Sequence, residues 1–234
     1  MIRLGITGTD TGVGKTIVTA ALAALLAQGG RRVAVAKPIE TGLDPITRRD
    51  ERGDPPDHEL LAEAAGAGDA LAAVCPLVLP DPLAPMVAAA RAGVEIDLRA
   101  LDHAITTLSE GRDALLVEGA GGLLVPITAE VAFDALFARW RLEVIVVAAN
   151  RLGCISHTRL TVAAARAAGL SVRGIVLNEV QPSEARDLAR ATNGELLQSL
   201  YPELPVIGFP YQPAPRDVVR LARAAAESGL AALL

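Results

Sequence analysis

The sequence predicts an α/β fold in which a mostly parallel β-sheet is flanked by helices on both faces. Two observations carry this prediction. Short, continuously apolar runs alternate with helical patterns, and a glycine-rich turn joins the first apolar run to the first helix. Continuous apolar runs are typical of strands buried on both faces, and their alternation with helices is typical of parallel sheets. We expect a single domain over residues 1–234, a length that suffices for one large core.

The predicted strands are runs rich in Val, Ile, Leu and Ala. They cover residues 2–7, 33–37, 114–118, 143–149, 172–178 and 206–208. The predicted helices cover residues 15–28, 57–65, 98–110, 129–140, 156–168, 183–200 and 216–228. Two stretches interrupt the alternation and are predicted as loops: the polar residues 43–56, and residues 75–85 with their four prolines. In such sheets ligands bind at the carboxyl ends of the strands, so functional residues are expected there.

Composition excludes several classes of protein. A hydrophobic fraction of 51% argues against disorder, and a net charge of −5 without a basic tract argues against nucleic acid as a partner. Cys75 and Cys154 form neither a metal-binding spacing nor a disulfide framework. Charged residues, Gly or Pro interrupt each apolar run before the roughly 20 residues that a membrane span needs. We therefore expect a cytoplasmic protein without a signal peptide or membrane association.

Residues 8–16, Gly-Thr-Asp-Thr-Gly-Val-Gly-Lys-Thr, form the most informative motif. A glycine-rich turn that ends Gly-Lys-Thr between a strand and a helix is typical of a P-loop, whose backbone N–H groups converge on phosphate oxygens. Lys15 adds positive charge, the Thr16 hydroxyl is a Mg²⁺ ligand, and the helix N-terminus favours anions. The usual motif has glycine at the position of Thr9, whereas here Gly8 stands one residue earlier. The motif predicts a P-loop NTPase-type domain that binds a nucleoside triphosphate.

Polar residues end the later strands. Lys37 would supply a second cation to a phosphoryl group whose charge is spread over its oxygens. Glu118 ends a buried strand, and a carboxylate there needs a cation or a metal. Either Asp57 or Asp54 is a second candidate for the metal, although Asp57 also fits a helix N-cap. Asn178 ends another strand and has both a donor and an acceptor for a purine edge.

Two further features bear on the ligands. The Asn-Lys-x-Asp motif typical of GTP-binding proteins is absent, since the nearest candidate is Asn-Arg-Leu-Gly at residues 150–153, and this favours ATP. The turn at residues 153–157 presents N–H groups at a helix start, which suits an anion. For His157 a capping or packing role is favoured over acid–base chemistry, because no partner residue is visible.

Taken together, these segments resemble the dethiobiotin synthetases. The matching pieces are residues 8–16, Lys37-Pro38 with Thr41-Gly42, residues 117–122, residues 152–157 and Asn178. The resemblance also covers the displaced glycine of the P-loop. It implies a homodimer that uses 7,8-diaminopelargonate, CO₂ and ATP with Mg²⁺. One amine captures CO₂ as a carbamate, ATP phosphorylates the carbamate, and the second amine closes the ring and expels phosphate.

The resemblance also implies roles for individual residues. Lys37, Lys15 and Thr11 would act in catalysis, and Thr16, Asp57 and Glu118 would hold Mg²⁺. ATP contacts are implied at Gly12, Val13, Gly14, Lys15, Thr16, Ile17, Asp57, Glu118, Gly119, Ala120, Gly121, Asn178, Glu179, Pro210, Tyr211 and Gln212. Substrate contacts are implied at Thr41, Gly153, Cys154, Ile155 and Ser156, with the turn at residues 153–156 reaching across from the second copy of the dimer.

Two other functions compete with this interpretation. A partition or cell-division type ATPase switch would share the fold, but such proteins carry a signature lysine where this chain has Asp10. An ATP-dependent amide-forming enzyme acting on corrin precursors would share the loop. It would also bring a glutaminase domain, for which this chain is too short.

Overall fold

The computed structural model describes residues 1–44, 46–182 and 187–234 and contains two parallel sheets. The strands are β1 (Ile2–Gly8), β2 (Val33–Ala36), β3 (Ile39–Thr41), β4 (Leu77–Leu79), β5 (Ala114–Gly122), β6 (Glu143–Ala149), β7 (Val172–Asn178) and β8 (Val206–Phe209). The α-helices are α1 (Lys15–Gln28), α2 (Asp57–Ala65), α3 (Leu71–Val74), α4 (Pro85–Ala92), α5 (Leu98–Ser109), α6 (Phe133–Arg139), α7 (Cys154–Ala167), α8 (Leu188–Leu200) and α9 (Val218–Ser228). A 3₁₀ helix over Leu230–Leu233 follows α9.

The main sheet has six strands in the order β2-β5-β1-β6-β7-β8, and every neighbouring pair is parallel. This confirms the predicted fold class. Because β5 and β6 flank β1, the loop after β1 lies beside the carboxyl ends of both neighbours. Ile6 of β1 pairs with Glu118 of β5, which sets that carboxylate next to the start of the P-loop.

Helices cover both faces of this sheet. Buried residues of α1, α2 and α9 form one core with the sheet, and residues of α5, α6, α7 and α8 form the other. The side chains of β5 alternate between the two cores, with Leu116 in the first and Leu115 and Val117 in the second. Both faces are therefore apolar, which explains why the strands are continuous apolar runs.

Small residues allow the helices to approach closely. In α1, Ala20, Ala21, Ala23 and Ala24 are all buried, and this helix packs against both α2 and α9. At Gly5, an added Cβ would lie 2.7 Å from the ring of Phe137, so α6 lies directly on the backbone of β1. Ala and Gly at these contacts let the backbones approach closely, so the core is densely packed although it contains few aromatic side chains.

The structure differs from the predicted elements in the 37–97 region. Part of the predicted loop at residues 75–85 is strand β4, which pairs with β3 in the two-stranded sheet, and α3 and α4 were also not predicted. The strands β3 and β4 and helix α3 have only three or four residues, too few for a periodic pattern, and the eight-residue α4 begins at Pro85, the last residue of the predicted loop.

Some helices begin at other residues than the sequence predicts. The helix predicted from residue 129 begins at Phe133, because the hydroxyl of Thr128 accepts hydrogen bonds from the N–H groups of Glu130 and Val131 and holds a turn there. Of the predicted helix 183–200, the structure shows Leu188–Leu200, while residues 183–186 lie outside the described part. No helix in the described ranges has both the length and the apolar character that crossing a membrane requires.

Candidate active site

The P-loop joins β1 to α1 and is shaped by two glycines with positive φ. Gly12 has a φ of 72° and Gly14 a φ of 85°, in the left-handed region that favours glycine. A Cβ on Gly14 would also collide with Nδ2 of Asn178. Within the described residues, no side chain caps the start of α1 at Lys15. The first N–H groups of α1 are therefore open to an anion.

Lys15 lies at the base of this loop and is only 7% exposed. Its Nζ donates a hydrogen bond to the backbone carbonyl of Asp10 at 3.0 Å. Burial lowers the pKa of Lys15 to about 8, and nearby Lys37 adds to this effect, although Glu118 opposes it. A neighbouring negative charge raises the pKa of a lysine, so an anion in this loop would favour the protonated form.

Around Lys37, residues from three different elements, α1, α2 and β5, come together. It follows β2, and its Nζ lies 2.9 Å from Oε1 of Glu118 and forms a second ion pair with Oδ2 of Asp57, the first residue of α2. The hydroxyl of Thr16, from α1, donates to the same Oε1 of Glu118 at 2.8 Å. We call Lys37, Asp57, Glu118 and Thr16 the Lys37 cluster. Its four members are all among the residues that the sequence singled out.

Charge pairing dominates the electrostatics of the Lys37 cluster. Burial alone would lower the pKa of Lys37, but the negative charges of Asp57, Glu118 and Glu40 raise it well above its usual value. Burial likewise raises the pKa of Asp57, yet Lys37 outweighs this and holds that pKa below its usual range. Lys37 therefore stays protonated, and its charge keeps two carboxylates close together.

One atom of the cluster lacks a partner. Oε2 of Glu118 is buried, and in the described residues nothing forms a hydrogen bond with it. A buried oxygen without a partner destabilises the fold by about 1–3 kcal/mol. Mg²⁺ prefers oxygen ligands, and Glu118, Asp57 and Thr16 together offer two carboxylates and a hydroxyl. The residues present fit a magnesium ion.

Of the two carboxylates that the sequence left open, the structure brings Asp57 into the cluster. Asp54 is exposed, and its backbone N–H donates to Oδ1 of Asp50 at 2.8 Å in a tight turn. Arg216 holds the segment between them, since its guanidinium donates to the carbonyl oxygens of Pro55 and Pro56. Arg216 had no signal in the sequence, because the two contacting segments are far apart along the chain.

Further predicted site residues lie in the P-loop, in α1 and at the ends of β3 and β5. Thr11 is exposed in the P-loop, and its Oγ1 lies 3.6 Å from where a Cβ on Gly121 would be. Gly119, Ala120 and Gly121 belong to the end of β5, which is longer than predicted. Thr41 is half-buried at the end of β3, the strand that follows Lys37. In the P-loop itself, Val13 is buried in the core and Ile17 is half-buried in α1.

Asn178 connects the end of β7 to the P-loop. Its Nδ2 donates to the backbone carbonyl of Val13 at 2.9 Å, and the side chain is only 4% exposed. Because a carbonyl oxygen needs a donor, this contact also fixes which end of the amide faces the loop. The donor end of Asn178 is thus used inside the protein, which the sequence did not reveal.

Glu179 and residues 210–212 lie beside Asn178. Asn178 pairs with Phe209 of β8, and the N–H of Glu179 donates to the Phe209 carbonyl at 2.9 Å. The predicted residues Pro210, Tyr211 and Gln212 follow directly, with Tyr211 40% exposed and Nε2 of Gln212 bonded to the Pro210 carbonyl.

A buried polar network that the sequence did not predict supports this edge. Asn150 donates to Oε1 of Glu179 at 2.6 Å and accepts from Asn193 at 2.9 Å, while Arg190 forms an ion pair with Glu179. The network joins the residues that follow β6 and β7 to α8, so only the fold brings its members together.

The turn at residues 153–157 begins α7 and is not joined to the Lys37 cluster by any hydrogen bond or ion pair among the described residues. Gly153 has a φ of 91°, and Gly153, Ser156 and His157 are exposed, with Ile155 half-buried. Cys154 is buried, and its N–H already donates to the Arg151 carbonyl. The thiol of Cys154 is therefore shielded from the surface, and its N–H is already used within the turn.

Comparisons with known proteins address the family. The family model described as an AAA domain matches residues 3–213. ATP-dependent dethiobiotin synthetase from Anaeromyxobacter dehalogenans strain 2CP-C is 40% identical over 231 residues, which cover 96% of this chain and 95% of that protein. The enzyme of the same name from Frankia casuarinae is 44% identical over 203 residues, covering 86% of this chain and 80% of the relative.

Solved structures with the same fold are more distant in sequence. The septum site-determining protein MinD from Pyrococcus horikoshii, complexed with Mg-ADP, has a TM-score of 0.55 at 20% identity, with 100% of this chain and 95% of that chain covered. At this identity the likeness shows the P-loop NTPase fold alone, so it gives no support to a cell-division role. The relatives at 40% identity and above decide the family: the chain belongs to the ATP-dependent dethiobiotin synthetases, a family of enzymes.

Proposed function

We propose that this chain, as a single domain, catalyses the ATP- and Mg²⁺-dependent carboxylation and ring closure of 7,8-diaminopelargonate with CO₂. The products are dethiobiotin, ADP and phosphate. The observation that carries the proposal is the Lys37 cluster, in which a buried lysine and three oxygen ligands lie beside the P-loop. The names of the relatives support the identity of the substrate and product.

The reaction needs no nucleophile from the protein. One amine of the substrate forms a C–N bond to CO₂ and loses a proton, giving a carbamate. A carbamate oxygen then attacks the γ-phosphorus, the bond to the leaving ADP breaks, and a carbamic-phosphoric anhydride results. The second amine attacks the carbonyl carbon, the C–O bond to phosphate breaks, and phosphate leaves with the proton of that amine. Each step depends on placing reactants and stabilising charge.

Residues of the Lys37 cluster, together with Lys15, Thr11 and Thr41, fit these steps. Lys15 would hold the β- and γ-phosphates, and Lys37 would lie between the carbamate and the γ-phosphate, where charge moves during transfer. Thr11 and Thr41 would orient the carbamate and the amine. Thr16, Asp57 and Glu118 would hold Mg²⁺, which neutralises charge on the phosphates when bound.

The nucleotide base would bind at the β7–β8 edge. With Nδ2 of Asn178 donating to Val13, the amide oxygen is the group that would accept a hydrogen bond from the base. Adenine presents an amino group at its C6 position, whereas guanine presents an oxygen there, so an acceptor at Asn178 favours ATP. Glu179 and residues 210–212 would line the same site.

We also propose a homodimer in which the turn at residues 153–156 contributes to the site of the second copy. Leu152 and Leu160 flank this turn on the surface and are 87% and 67% exposed. Exposed apolar side chains on both sides of the turn support an interface there, because a contiguous apolar surface patch is typical of protein–protein contacts. The N–H groups of Ile155 and Ser156 at the start of α7 would then receive the substrate carboxylate.

The proposed activity is tested by measuring ADP and dethiobiotin with each substrate omitted in turn. We expect ADP release to require both diaminopelargonate and CO₂. Equal ATP turnover without the diamine would contradict the proposal and favour an ATPase switch.

Sharing across the dimer is tested by mixing two inactive variants, Lys37→Ala and a variant with bulky residues at Gly153 and Ser156. Mixed dimers should regain one intact site. Verified mixed dimers without activity would count against shared sites.

A further inference from the structure

A second buried group of polar side chains lies beside the Lys37 cluster and has no part in the proposed chemistry. Glu40 of β3 is 5% exposed, His58 of α2 is 1% exposed and Cys75 is 4% exposed. The ligand-type atoms of these three side chains all lie within 4.8 Å of one another. Because burying polar groups is costly, such a group in the interior needs an explanation.

The contacts of Glu40 argue against a metal site. Glutamate, histidine and cysteine are zinc ligands, but a structural zinc site has four of them. Both carboxylate oxygens of Glu40 are already engaged: Oε1 accepts from the N–H of Asp57 at 2.7 Å, and Oε2 accepts from the N–H of His58 at 3.2 Å. Oε2 also lies 2.6 Å from Nδ1 of His58. Glu40 and the first two residues of α2 therefore form a hydrogen-bonded brace with the carboxylate at its centre, while the thiol of Cys75 donates to the Leu77 carbonyl at 3.5 Å.

This brace holds the first turn of α2. Pro56 precedes the helix and provides no side-chain cap. Two of the helix N–H groups that a cap would satisfy are instead bonded to Glu40, which belongs to a neighbouring strand. A carboxylate is suited to this place, because it makes charge-assisted hydrogen bonds and matches the positive end of the helix.

One hydrogen bond of this brace comes from the backbone N–H of Asp57, the residue whose side chain pairs with Lys37. Asp57 receives a hydrogen bond from Lys37 on its side chain and gives one to Glu40 from its own backbone N–H. Lys37 and Glu40 lie on the same short segment, with Lys37 just before β3 and Glu40 within it. One segment therefore sets both the lysine and the backbone position of its carboxylate partner.

We propose that Glu40, bonded to His58, is a positioning residue that fixes Asp57 opposite Lys37 and so tunes the binding of the divalent cation. This inference rests on the proposed function, in which Asp57 is a metal ligand. Outer residues that orient metal ligands change metal affinity by roughly 10–100-fold when they are replaced.

The test compares Glu40→Gln with a matched control, Asp97→Asn. Asp97 caps α5 by accepting from the N–H groups of Arg99 and Ala100, so its replacement also weakens two helix-start hydrogen bonds. The probe is Mn²⁺, with its affinity measured by electron paramagnetic resonance in the presence of ADP. Hydrogen exchange of the peptide that covers the start of α2 gives a readout independent of the metal.

We expect Glu40→Gln to weaken Mn²⁺ binding by roughly tenfold or more and to speed amide exchange at the start of α2. Affinity for ADP without metal should stay within about twofold, because no contact of Glu40 involves the P-loop. Asp97→Asn should lower the melting temperature while leaving the Mn²⁺ affinity unchanged.

Wild-type Mn²⁺ affinity in a folded Glu40→Gln protein would overturn the inference, as would tightly bound zinc at this group in the purified protein. If Glu40→Gln does not fold, His58→Phe decides, since it keeps the ring shape and the backbone N–H but removes the side-chain donor to Glu40. It should weaken Mn²⁺ binding less than tenfold but measurably, and an unchanged affinity would overturn the inference.

These results are separable from the test of the proposed function. A wild-type protein that binds Mn²⁺ with ADP in a Glu40-dependent way but makes no dethiobiotin would contradict the proposed function and support the role of Glu40. A protein that makes dethiobiotin, but whose Mn²⁺ affinity does not change when Glu40 is replaced, would support the proposed function and contradict the role of Glu40.

Discussion

Replacing Lys37 by methionine removes the charge at the centre of the cluster and keeps most of the stem. The ammonium group lies 2.9 Å from a fully buried carboxylate oxygen of Glu118 and pairs with Asp57, whose side chain is 42% exposed. Removing one partner of a buried pair costs about 3–5 kcal/mol, because the remaining charge is left uncompensated. Since Asp57 is partly exposed and can be solvated, we expect the lower end, about 3 kcal/mol of unfolding free energy.

The loss of stability should depend on divalent cations. Once the ammonium group is gone, Mg²⁺ can compensate the same two carboxylates. We therefore expect millimolar Mg²⁺ to restore a large part of the stability of Lys37→Met and to change the wild type much less. Urea unfolding with and without Mg²⁺ measures both effects.

The loss of activity should appear in kcat. Groups that stabilise charge only in the transition state contribute about 10²–10³-fold to kcat, and we expect a decrease of this size for Lys37→Met. Binding of ATP should change by less than about tenfold, because a loss confined to the transition state leaves ground-state binding intact. Lys15→Met, whose Nζ lies inside the P-loop, should weaken ATP binding as well.

Two results would refute this reasoning. If Lys37→Met turned over at the wild-type rate, Lys37 would have no role in charge stabilisation. If its stability were unchanged in the absence of Mg²⁺, the buried ion pairs would contribute nothing to the fold.

Three further predictions concern single residues. Asp57→Asn should raise the Mg²⁺ concentration needed for half-maximal activity at least tenfold, whereas Asp54→Asn should leave it unchanged; the reverse pattern would mean that the wrong carboxylate has been chosen. Gly14→Ala should abolish tight nucleotide binding in equilibrium titrations, because the added Cβ collides with Asn178 at a positive φ, and wild-type affinity would show that the loop adapts. Cys75 should resist iodoacetamide in the native protein up to about pH 9, since burial raises the pKa of its thiol to about 12 and the thiolate is scarce below that pH; rapid labelling followed by mass spectrometry would contradict this.

The sequence was most informative where its signal is local. The strand, loop and helix around residues 8–16 were predicted because their residues are adjacent and their order is typical of a P-loop. The convergence of Lys37 and Glu118 could also be anticipated, because parallel strands end at the same edge of a sheet.

Long-range pairing set the limit of what could be predicted. Two contacts join segments that no sequence motif connects. Glu40 caps α2, and Arg216 donates to the carbonyl oxygens of Pro55 and Pro56. The choice between Asp54 and Asp57 likewise depended on the direction in which the segment enters α2. The hydrogen bond from the Asn178 amide to the Val13 carbonyl of the P-loop could not be predicted for the same reason, since 165 positions separate the two residues.

The most direct test of the proposed chemistry is the fate of an oxygen atom from CO₂. If a carbamate oxygen attacks the γ-phosphorus and leaves with phosphate, turnover with ¹⁸O-labelled CO₂ transfers one labelled oxygen into each phosphate released. Mass spectrometry of the phosphate, with dethiobiotin quantified in the same sample, measures this transfer. Because dissolved CO₂ exchanges oxygen with water, the label in phosphate is compared with the label in the ureido carbonyl of dethiobiotin, which keeps the other oxygen of the same CO₂; we predict equal enrichment. Unlabelled phosphate in a reaction that yields dethiobiotin labelled at this carbonyl would contradict phosphorylation of a carbamate at this site.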